Sequence, residues 1–393
     1  MRSDSTDGRR DTYAIFSALF LPSVGGVENY TNNLAAELAR KGDRVVVVTS
    51  QLGSDPAHEM LASGVEVVRL PSRIMLGGRL PLPRHGKEYR KLIEGLKLLD
   101  IDNVIVNTRF YLHSLEGLRF AERVGVKPIL IEHGSAHLTM GNRLLDKVVS
   151  AYEHFVTRLT QSHHPDYYAV SQKSAEWLTH FGITCKGVIS NAIDADAFRR
   201  TSSGRDFRSE LKFRSDDFVV AFVGRLVPEK GVSAILESAS NLKREDSIRF
   251  VIAGTGPMES ELAQYKGDNL SFVGKLDRGD VSAMLSQSDA FCLPSRSEGF
   301  ATSLLECAAW GVVPIVTRVG GVDELIPSDD YGLVIDEPSG SLLADAIRRL
   351  ASDSEVARGM GRRIRNLVEL EFTWRKTAAR LRKAFDASAP TGC

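Results

Sequence analysis

The sequence predicts an α/β protein of two doubly wound domains, and three observations carry that expectation. Short apolar runs rich in β-branched residues recur along the whole chain, among them RVVVVTS (44–50), NVIVN (103–107), FVVAFVG (218–224), IRFVIAG (248–254) and VVPIVT (312–317). The runs are continuously apolar rather than alternating, which marks strands buried on both faces of a parallel sheet. Helical patterns separate them, so strand and helix alternate as βαβ units. At 393 residues the chain also exceeds what one hydrophobic core supports, so two domains are expected.

In chain order, the first twelve residues are polar and lack an apolar h-region, so a disordered tail is expected rather than a secretory signal. The first-half strands are YAIFSALF (13–20), RVVVVTS, VEVVRL (65–70), NVIVN, KPILIEH (127–133), YYAVS (167–171) and GVIS (187–190). A helix at 27–40 places Val27, Tyr30, Leu34 and Leu38 on one stripe, with Glu37 and Arg40 outside it. A basic stretch at 79–97 carries Arg79, Arg84, Lys87, Arg90 and Lys91, opposite Tyr89, Leu92, Ile93 and Leu96 on an apolar face. It reads as an amphipathic helix with a solvated basic face, or as a surface for an anionic acceptor or the inner membrane leaflet. Charge, Gly and Ser break the alternation at 194–216, which is expected to link the two domains. The second-half strands are FVVAFVG, IRFVIAG, LSFVG (270–274), DAFCLP (289–294), VVPIVT and YGLVI (331–335). A final helical stretch near 356–386 is interrupted at FTW (372–374).

Composition narrows the function classes. Lys plus Arg equals Asp plus Glu, 50 against 50, so no global basic field recruits nucleic acid. No apolar run has the length of a membrane span. The four cysteines are sparse, and Cys292 and Cys307 sit in apolar segments as buried free thiols do. A reducing, cytoplasmic location is expected.

The chemistry concentrates in a few loops. In SRSEGFATSLLECAAWGVVPIVTRVGG (295–321), Pro294 ends the preceding strand, Gly299 opens a turn before Phe300, and SLLECAAW is a run of good helix formers. Glu298 then lies in the loop at the mouth of a helix and Glu306 on the helix itself. With a rise of about 1.5 Å per residue, the two carboxylates sit on the order of 10 Å apart. That separation suits one ligand with hydroxyls at both ends and a diphosphate between them. Amides at such a helix start also favour phosphate. Taken alone, two glutamates near a helix start can equally serve the helix dipole.

FVVAFVGRLVPEKGV (218–232) reads as a strand, a loop carrying Arg225 and Lys230, and a helix start near Gly231. Two cations at a strand end neutralise a diphosphate, and arginine offers a planar fork to phosphate oxygens; the plain alternative is a pair of solvated surface cations. FLPSVGGVENYTNNLA (20–35) sets Gly25 and Gly26 between strand and helix, where a missing Cβ lets amides approach an anion, or simply serves a tight turn. His133 in IEHGSAH (131–137) follows a strand, and open α/β sheets bind ligands outside the carboxyl ends of their strands, so it points into the expected cleft; His137 is a second candidate. Asp194 and Asp196 imitate a D-x-D metal motif, but Asp after a strand caps a short helix well. With no His/Cys cluster at zinc spacing, no metal is expected. IAGTGPMESEL (252–262) places Gly254 and Gly256 after a strand, yet Glu259 stands where a dinucleotide fingerprint needs its third glycine.

Together and in this order, these segments resemble the retaining GT-B glycosyltransferases, in particular glycosyltransferase family 4, from Gly25 to Trp374. The E-x7-E pair with SEGF and GGVDELI, the G-R-L-x-x-x-K-G signature and the GGxE-type loop carry the likeness, with a G-x-G-P turn and a segment like N-G-V-D in which Ala192 replaces glycine. The resemblance implies a GT-B fold: two Rossmann-like doubly wound domains facing each other across a cleft, with the last helix crossing back to the first domain. It places an acceptor domain at 13–195, completed by 373–393, and a nucleotide-sugar donor domain at 196–372, after a tail at 1–12.

Arg225 and Lys230 are then expected to bind the donor diphosphate, Glu306 the ribose hydroxyls, Glu298 the sugar hydroxyls, and His133 the donor sugar. Gly25, Gly26, Asn191, Gly254, Gly256, Lys275, Leu276, Gly299 and Phe300 are expected to line the donor site. The implied activity is metal-independent, retaining transfer of a hexose-type sugar. The donor is a UDP- or GDP-sugar, no cofactor is needed, and the acceptor is a glycan, lipid or small molecule. Peripheral contact with the membrane's cytoplasmic face goes with this reading. The alternatives are a sugar-nucleotide epimerase or hydrolase, which needs no acceptor, and a non-catalytic nucleotide-sugar-binding subunit.

Overall fold

The computed structural model describes residues 10–23, 25–75, 80–137 and 143–388. The chain divides into two compact units: one holds the residues up to Val170, Ser174–Ser190 and those from Trp374 onward, the other Ser171–Lys173 and Asn191–Thr373. After the brief excursion at Ser171–Lys173, the main crossing falls at 190/191, against an expected boundary at 195, and the return at 373/374. Of the expected tail, residues 1–9 lie outside the described residues, while Thr12 already belongs to a strand.

In unit 1 the strands are β1 (Thr12–Ser17), β2 (Arg44–Ser50), β3 (His58–Met60), β4 (Glu66–Leu70), β5 (Ser72–Met75), β6 (Leu80–Pro83), β7 (Asn103–Asn107), β8 (Ile129–Glu132) and β9 (Asp166–Ala169). Its helices are α1 (Gly26–Arg40), α2 (Lys87–Lys97), α3 (Leu112–Val124), α4 (Arg143–Gln161) and α5 (Gln172–Thr179), whose residues from Ser174 on belong to this unit. The main sheet runs β3-β4-β2-β1-β7-β8-β9, parallel except for β3 at the edge. Without that edge strand the order is third, second, first, fourth, fifth, sixth, the doubly wound pattern whose direction reverses between β1 and β7. The core strands are dry: Ile15, Val46, Val47, Ile105 and Leu130 are fully buried, as their unbroken apolar runs require.

Two expectations change here. GVIS forms no strand; Val188 makes only an isolated bridge to Ala169. The 79–97 stretch begins with β6, which pairs antiparallel with β5 before α2 starts at Lys87. On α2, Tyr89, Ile93 and Leu96 are buried while Lys87, Arg90 and Lys91 face solvent, as does Arg84 before the helix. Arg79 lies outside the described residues.

Unit 2 contains α6 (Ala195–Arg200), α7 (Phe207–Glu210), β10 (Phe218–Val223), α8 (Val232–Asn241), β11 (Ile248–Ala253), α9 (Glu259–Ala263), β12 (Leu270–Gly274), α10 (Arg278–Ser286), β13 (Ala290–Leu293), α11 (Thr302–Trp310), β14 (Val313–Thr317), α12 (Val322–Leu325), β15 (Leu333–Ile335), α13 (Gly340–Ser352) and α14 (Ser354–Glu371). Its sheet is wholly parallel, in the order β12-β11-β10-β13-β14-β15. This repeats the doubly wound pattern, now reversing between β10 and β13. The last helix, α15 (Trp374–Ser388), belongs to unit 1, where Thr377 Oγ1 donates to the Ser190 carbonyl (3.1 Å) and the Tyr30 and Trp374 rings meet edge-on.

The segment 194–216 is not a linker; it is folded into unit 2. Its charged residues make helix caps and ion pairs within that unit. Asp194 accepts from Ala197 N (2.8 Å) at the start of α6, and Asp206 from Ser209 N (3.0 Å) at the start of α7. Phe198 and Phe207 are buried, and Arg208 binds the Gln287 and Asp217 carbonyls and the Asp289 carboxylate.

The loops after β10, β11 and β12 are laced together through backbone groups: Gly224 N donates to Ala253 O (3.1 Å), Gly254 N to Gly274 O (2.8 Å) and Leu226 N to Thr255 O (2.8 Å). Gly254 has φ +146, and a Cβ there would lie 1.8 Å from Gly224 O. Gly254→Ala should therefore cost at least about 1–3 kcal/mol in a urea titration. Gly95→Ala on α2, where nothing lies within 4 Å, should instead stabilise by roughly 0.5–1 kcal/mol.

Candidate functional site

In unit 2 the strand order reverses between β10 and β13, and the loops leaving their carboxyl ends define the place where such sheets bind ligands. The loop after β10 carries Arg225, then a single 3-10 turn over Pro228–Lys230, then Gly231 with φ +74. A Cβ on Gly231 would stand 2.0 Å from Pro294 O, so this loop packs directly on the end of β13. That packing brings two predicted residues together across the reversal. Lys230 Nζ lies 2.5 Å from Glu298 Oε1, and Ser295 Oγ donates to the same oxygen at 2.8 Å. Arg225 is exposed, and no side-chain partner holds its guanidinium among the described residues.

Glu298 sits in the loop before α11 and Glu306 within α11. Burial raises the Glu306 carboxyl above the ordinary carboxylate range, and the charge of Arg278 opposes that only in part. The Glu306 side chain makes no hydrogen bond to any described residue. A poorly solvated carboxylate without a donor is a strong acceptor for ligand hydroxyls. Around this pair, Gly299 and Glu298 pack on Gly320, whose added Cβ would lie 2.9 Å from Glu298 Cβ. The Phe300 ring covers Gly321 and meets Phe372 at 5.9 Å between centroids.

The other predicted residues of unit 2 have assorted surroundings. The Gly256 amide is already engaged, donating to Glu259 Oε1 at 2.8 Å. Lys275 is exposed and Leu276 half-buried in the loop between β12 and α10, whose start Asp277 caps through Asp280 N (2.8 Å). Asn191 is buried, and its Oδ1 accepts from Ala192 N (2.9 Å).

In unit 1 the corresponding reversal lies between β1 and β7. Gly25 and Gly26 open α1 there, but the buried Glu28 carboxylate folds back over Gly25, where a Cβ would lie 2.3 Å from Glu28 Oε2, while one on Gly26 would meet nothing within 4 Å. Burial raises the Glu28 carboxyl, which already occupies the anion-favouring end of the helix. His133, just after β8, packs edge-on against Tyr30 (4.8 Å) and contacts Asn107 Oδ1 through Nε2 (3.0 Å). Asn107 Nδ2 donates to Thr31 Oγ1 (2.8 Å), which sets the amide orientation. His133 Nε2 therefore carries the proton, and Nδ1 is left as an acceptor.

Burial lowers His133 to about 3 and His113 to about 4. Below about 6.5 the unfolded chain protonates these rings and the folded one does not. Their contribution to stability is thus complete above that pH and is lost as pH falls toward the folded values. His133→Gln should narrow the drop in melting temperature between neutral and mildly acidic buffer, read by thermal unfolding of both proteins.

Sequence reasoning missed what orients His133. Glu132 is fully buried at the end of β8 and accepts from His133 N (3.0 Å), Gly134 N (2.7 Å) and Arg109 Nη1 (2.6 Å). Arg109, only 1% exposed, also faces Glu153 at 3.5 Å and lies over the Phe181 ring at 4.0 Å. The available signal was a single charged residue closing each apolar run, in NTRF and LIEH. His137 Nδ1 pairs with Glu153 at 2.5 Å, on the far side of Arg109 from Glu132 and His133 in this chain of contacts.

Comparisons with known proteins fit this geometry. Residues 24–197 match Glycosyltransferase Family 4, and residues 204–367 match Glycosyl transferases group 1. The chain belongs to glycosyltransferase family 4. This glycosyltransferase is 26% identical over 404 residues to one component of the phosphatidylinositol N-acetylglucosaminyltransferase of Homo sapiens, covering 96% of this chain and 76% of the other. It is 27% identical over 384 residues to a GDP-mannose-dependent alpha-(1-6)-phosphatidylinositol monomannoside mannosyltransferase of Mycobacterium tuberculosis, covering 92% and 94%. Among solved structures, sucrose-phosphate synthase from Thermosynechococcus elongatus superposes with a TM-score of 0.74 at 19% identity, covering 98% and 100%. Anabaena HepE in complex with UDP-glucose gives 0.69 at 14%, covering 96% and 99%. These likenesses show a GT-B fold, and the enzyme is a glycosyltransferase. Among the described residues no helix is long and apolar enough to cross a membrane.

Proposed function

We propose that this glycosyltransferase moves a hexose from a UDP- or GDP-sugar with retention of configuration and without a metal ion. The observation that carries the reading is the set of opposite charges at the reversal of unit 2: Arg225 and Lys230 from the loop after β10, Glu298 from the loop after β13 and Glu306 from α11. Two cations at one strand end neutralise a diphosphate, which is the task a divalent ion performs elsewhere. Lys230 is held by Glu298 in the free protein. On donor binding, Lys230 shifts to a diphosphate oxygen, and Glu298 is released to accept sugar hydroxyls. Glu306, whose carboxylate lacks a hydrogen-bond donor, accepts the ribose hydroxyls. Neutral His133 offers Nδ1 to a hydroxyl of the donor sugar and transfers no proton.

The bond between the anomeric carbon and the leaving phosphate oxygen breaks first, giving a short-lived oxocarbenium-like ion pair. The acceptor oxygen attacks on the same face, and its proton passes to the departing phosphate. No protein nucleophile is needed. The relatives' names include phosphatidylinositol and its mannosides, so an inositol lipid is the acceptor class proposed here. The GDP-mannose relative and the UDP-glucose complex leave both donor bases in play.

The test incubates the enzyme with UDP- and GDP-sugars and inositol lipids, with and without EDTA, and reads product anomeric configuration by NMR. An α-linked product from an α-donor, formed equally in EDTA, is expected. An inverted product, loss of turnover in EDTA, or conversion of the donor without any acceptor would overturn the proposal.

A further inference from the structure

We infer that unit 1 carries a binding site for a zinc-type divalent ion, built from His137, His154 and His180, separate from the residues assigned to sugar transfer. One ligand atom from each of the three imidazoles lies within 4.8 Å of the other two. Their ring centroids form a near-equilateral triangle with sides of 5.1, 5.2 and 5.6 Å. Three imidazoles on one tetrahedral ion, with nitrogens at roughly 2.0–2.1 Å, hold their centroids roughly 5 Å apart. The rings are therefore already at ligating separation. Turning them in place brings the nitrogens from the observed spacing to the roughly 3.4 Å that tetrahedral coordination at those bond lengths requires.

The surroundings fit as well as the distances. His137 Nδ1 donates to Glu153 Oε2 at 2.5 Å, which fixes the tautomer and leaves the lone pair on Nε2, where Ser150 Oγ lies at 3.4 Å and would be displaced by an ion. Glu153 is only 1% exposed and is itself held by Arg109. A buried carboxylate bonded to the far nitrogen of a ligating imidazole is the usual support of a zinc histidine. His154 on α4 and His180 just past α5 are exposed, and their rings make no hydrogen bond to any described residue. Their lone pairs are thus available to an ion arriving from solvent. An all-imidazole set selects zinc, copper or nickel over magnesium or calcium, and three protein ligands leave a fourth position for water. The ion would tie the segment after β8 to α4 and to the end of α5. It takes no part in the transfer step.

The Trp177 ring stacks on His180, with planes 6° apart and centroids at 4.9 Å, and so reports on the site. The experiment uses the full chain without an affinity tag, stripped by chelator and dialysed. Zinc chloride is titrated by calorimetry. Cobalt chloride is followed by its visible bands and by tryptophan fluorescence. One ion per chain, a melting temperature that rises with zinc concentration, and quenching by cobalt are expected. His154→Ala and His180→Ala, both at exposed positions, should keep the wild-type circular dichroism and weaken zinc by at least about 10-fold, the low end for losing even a supporting residue. No uptake at micromolar zinc, or uptake unchanged in both variants, would reduce the cluster to aromatic packing and overturn the inference. The readout is metal binding, so it stands or falls independently of the transfer reaction.

Discussion

Arg225→Ala should lose sugar transfer by on the order of 10²–10³ in kcat, the scale for removing one preorganised donor to a developing oxyanion, while melting at the wild-type temperature. Both halves follow from its surroundings. Arg225 is exposed and its side chain bonds to no described residue, so its removal leaves no buried group unpaired and opens no cavity. Its position after β10, at the reversal of strand order, is where the proposed donor diphosphate would meet the guanidinium. Lys230→Ala is a useful contrast. It also removes the ion pair to Glu298, leaving that carboxylate without its lysine in the absence of donor, so activity and melting temperature should both change. Steady-state kinetics on the preferred donor, paired with thermal unfolding, reads both quantities. Unchanged turnover in Arg225→Ala would take it out of the mechanism.

The sheets were the most legible part of this chain, because strands buried on both faces write themselves as unbroken apolar runs. RVVVVTS is β2 residue for residue, and the run 103–107 is β7. The parallel pairing followed from strand–helix alternation, whereas the strand order was not written in the sequence. Where the pattern is short or polar the reading failed. GVIS is too brief to be distinguished from a loop, and the β5–β6 hairpin hides behind prolines that only an edge pairing tolerates. The charge, Gly and Ser of 194–216 read as a linker because a sequence does not show that Asp194, Asp206 and Arg208 each have a partner nearby.

At the site, residue types were readable and pairings were not. Lys230 and Glu298 are 68 positions apart and meet only because two loops leave neighbouring strands. His137, His154 and His180 have no motif spacing at all, since they come from a loop, a helix and a helix end. Nor does the G-x-G-P turn show in sequence that Gly254 is required by the backbone of the adjacent loop.

Arg109→Leu should destabilise the protein by about 3–5 kcal/mol, the range for breaking a buried ion pair by removing one partner. The guanidinium is 1% exposed, and the carboxylates it faces, Glu132 and Glu153, are 0% and 1% exposed. Glu132 would keep its two amide donors and Glu153 its imidazole, but no full positive charge would remain beside either. In a unit of this size each kcal/mol shifts the melting temperature by roughly 2–4 °C, so a fall of roughly 6–20 °C is expected. The cause is separable from lost packing. If uncompensated charge is responsible, adding Glu132→Gln to Arg109→Leu should recover part of the loss, because a neutral amide tolerates the dry site better than a carboxylate. A double variant less stable than the single one would point to packing against Phe181 instead. The consequence also reaches the chemistry: Glu132 holds the amides of His133 and Gly134, so a displaced Glu132 releases the ring that contacts Asn107. Arg109→Leu protein that remains folded at low temperature should therefore show a raised KM for the donor, whereas a purely structural role would lower only the active fraction and leave KM unchanged.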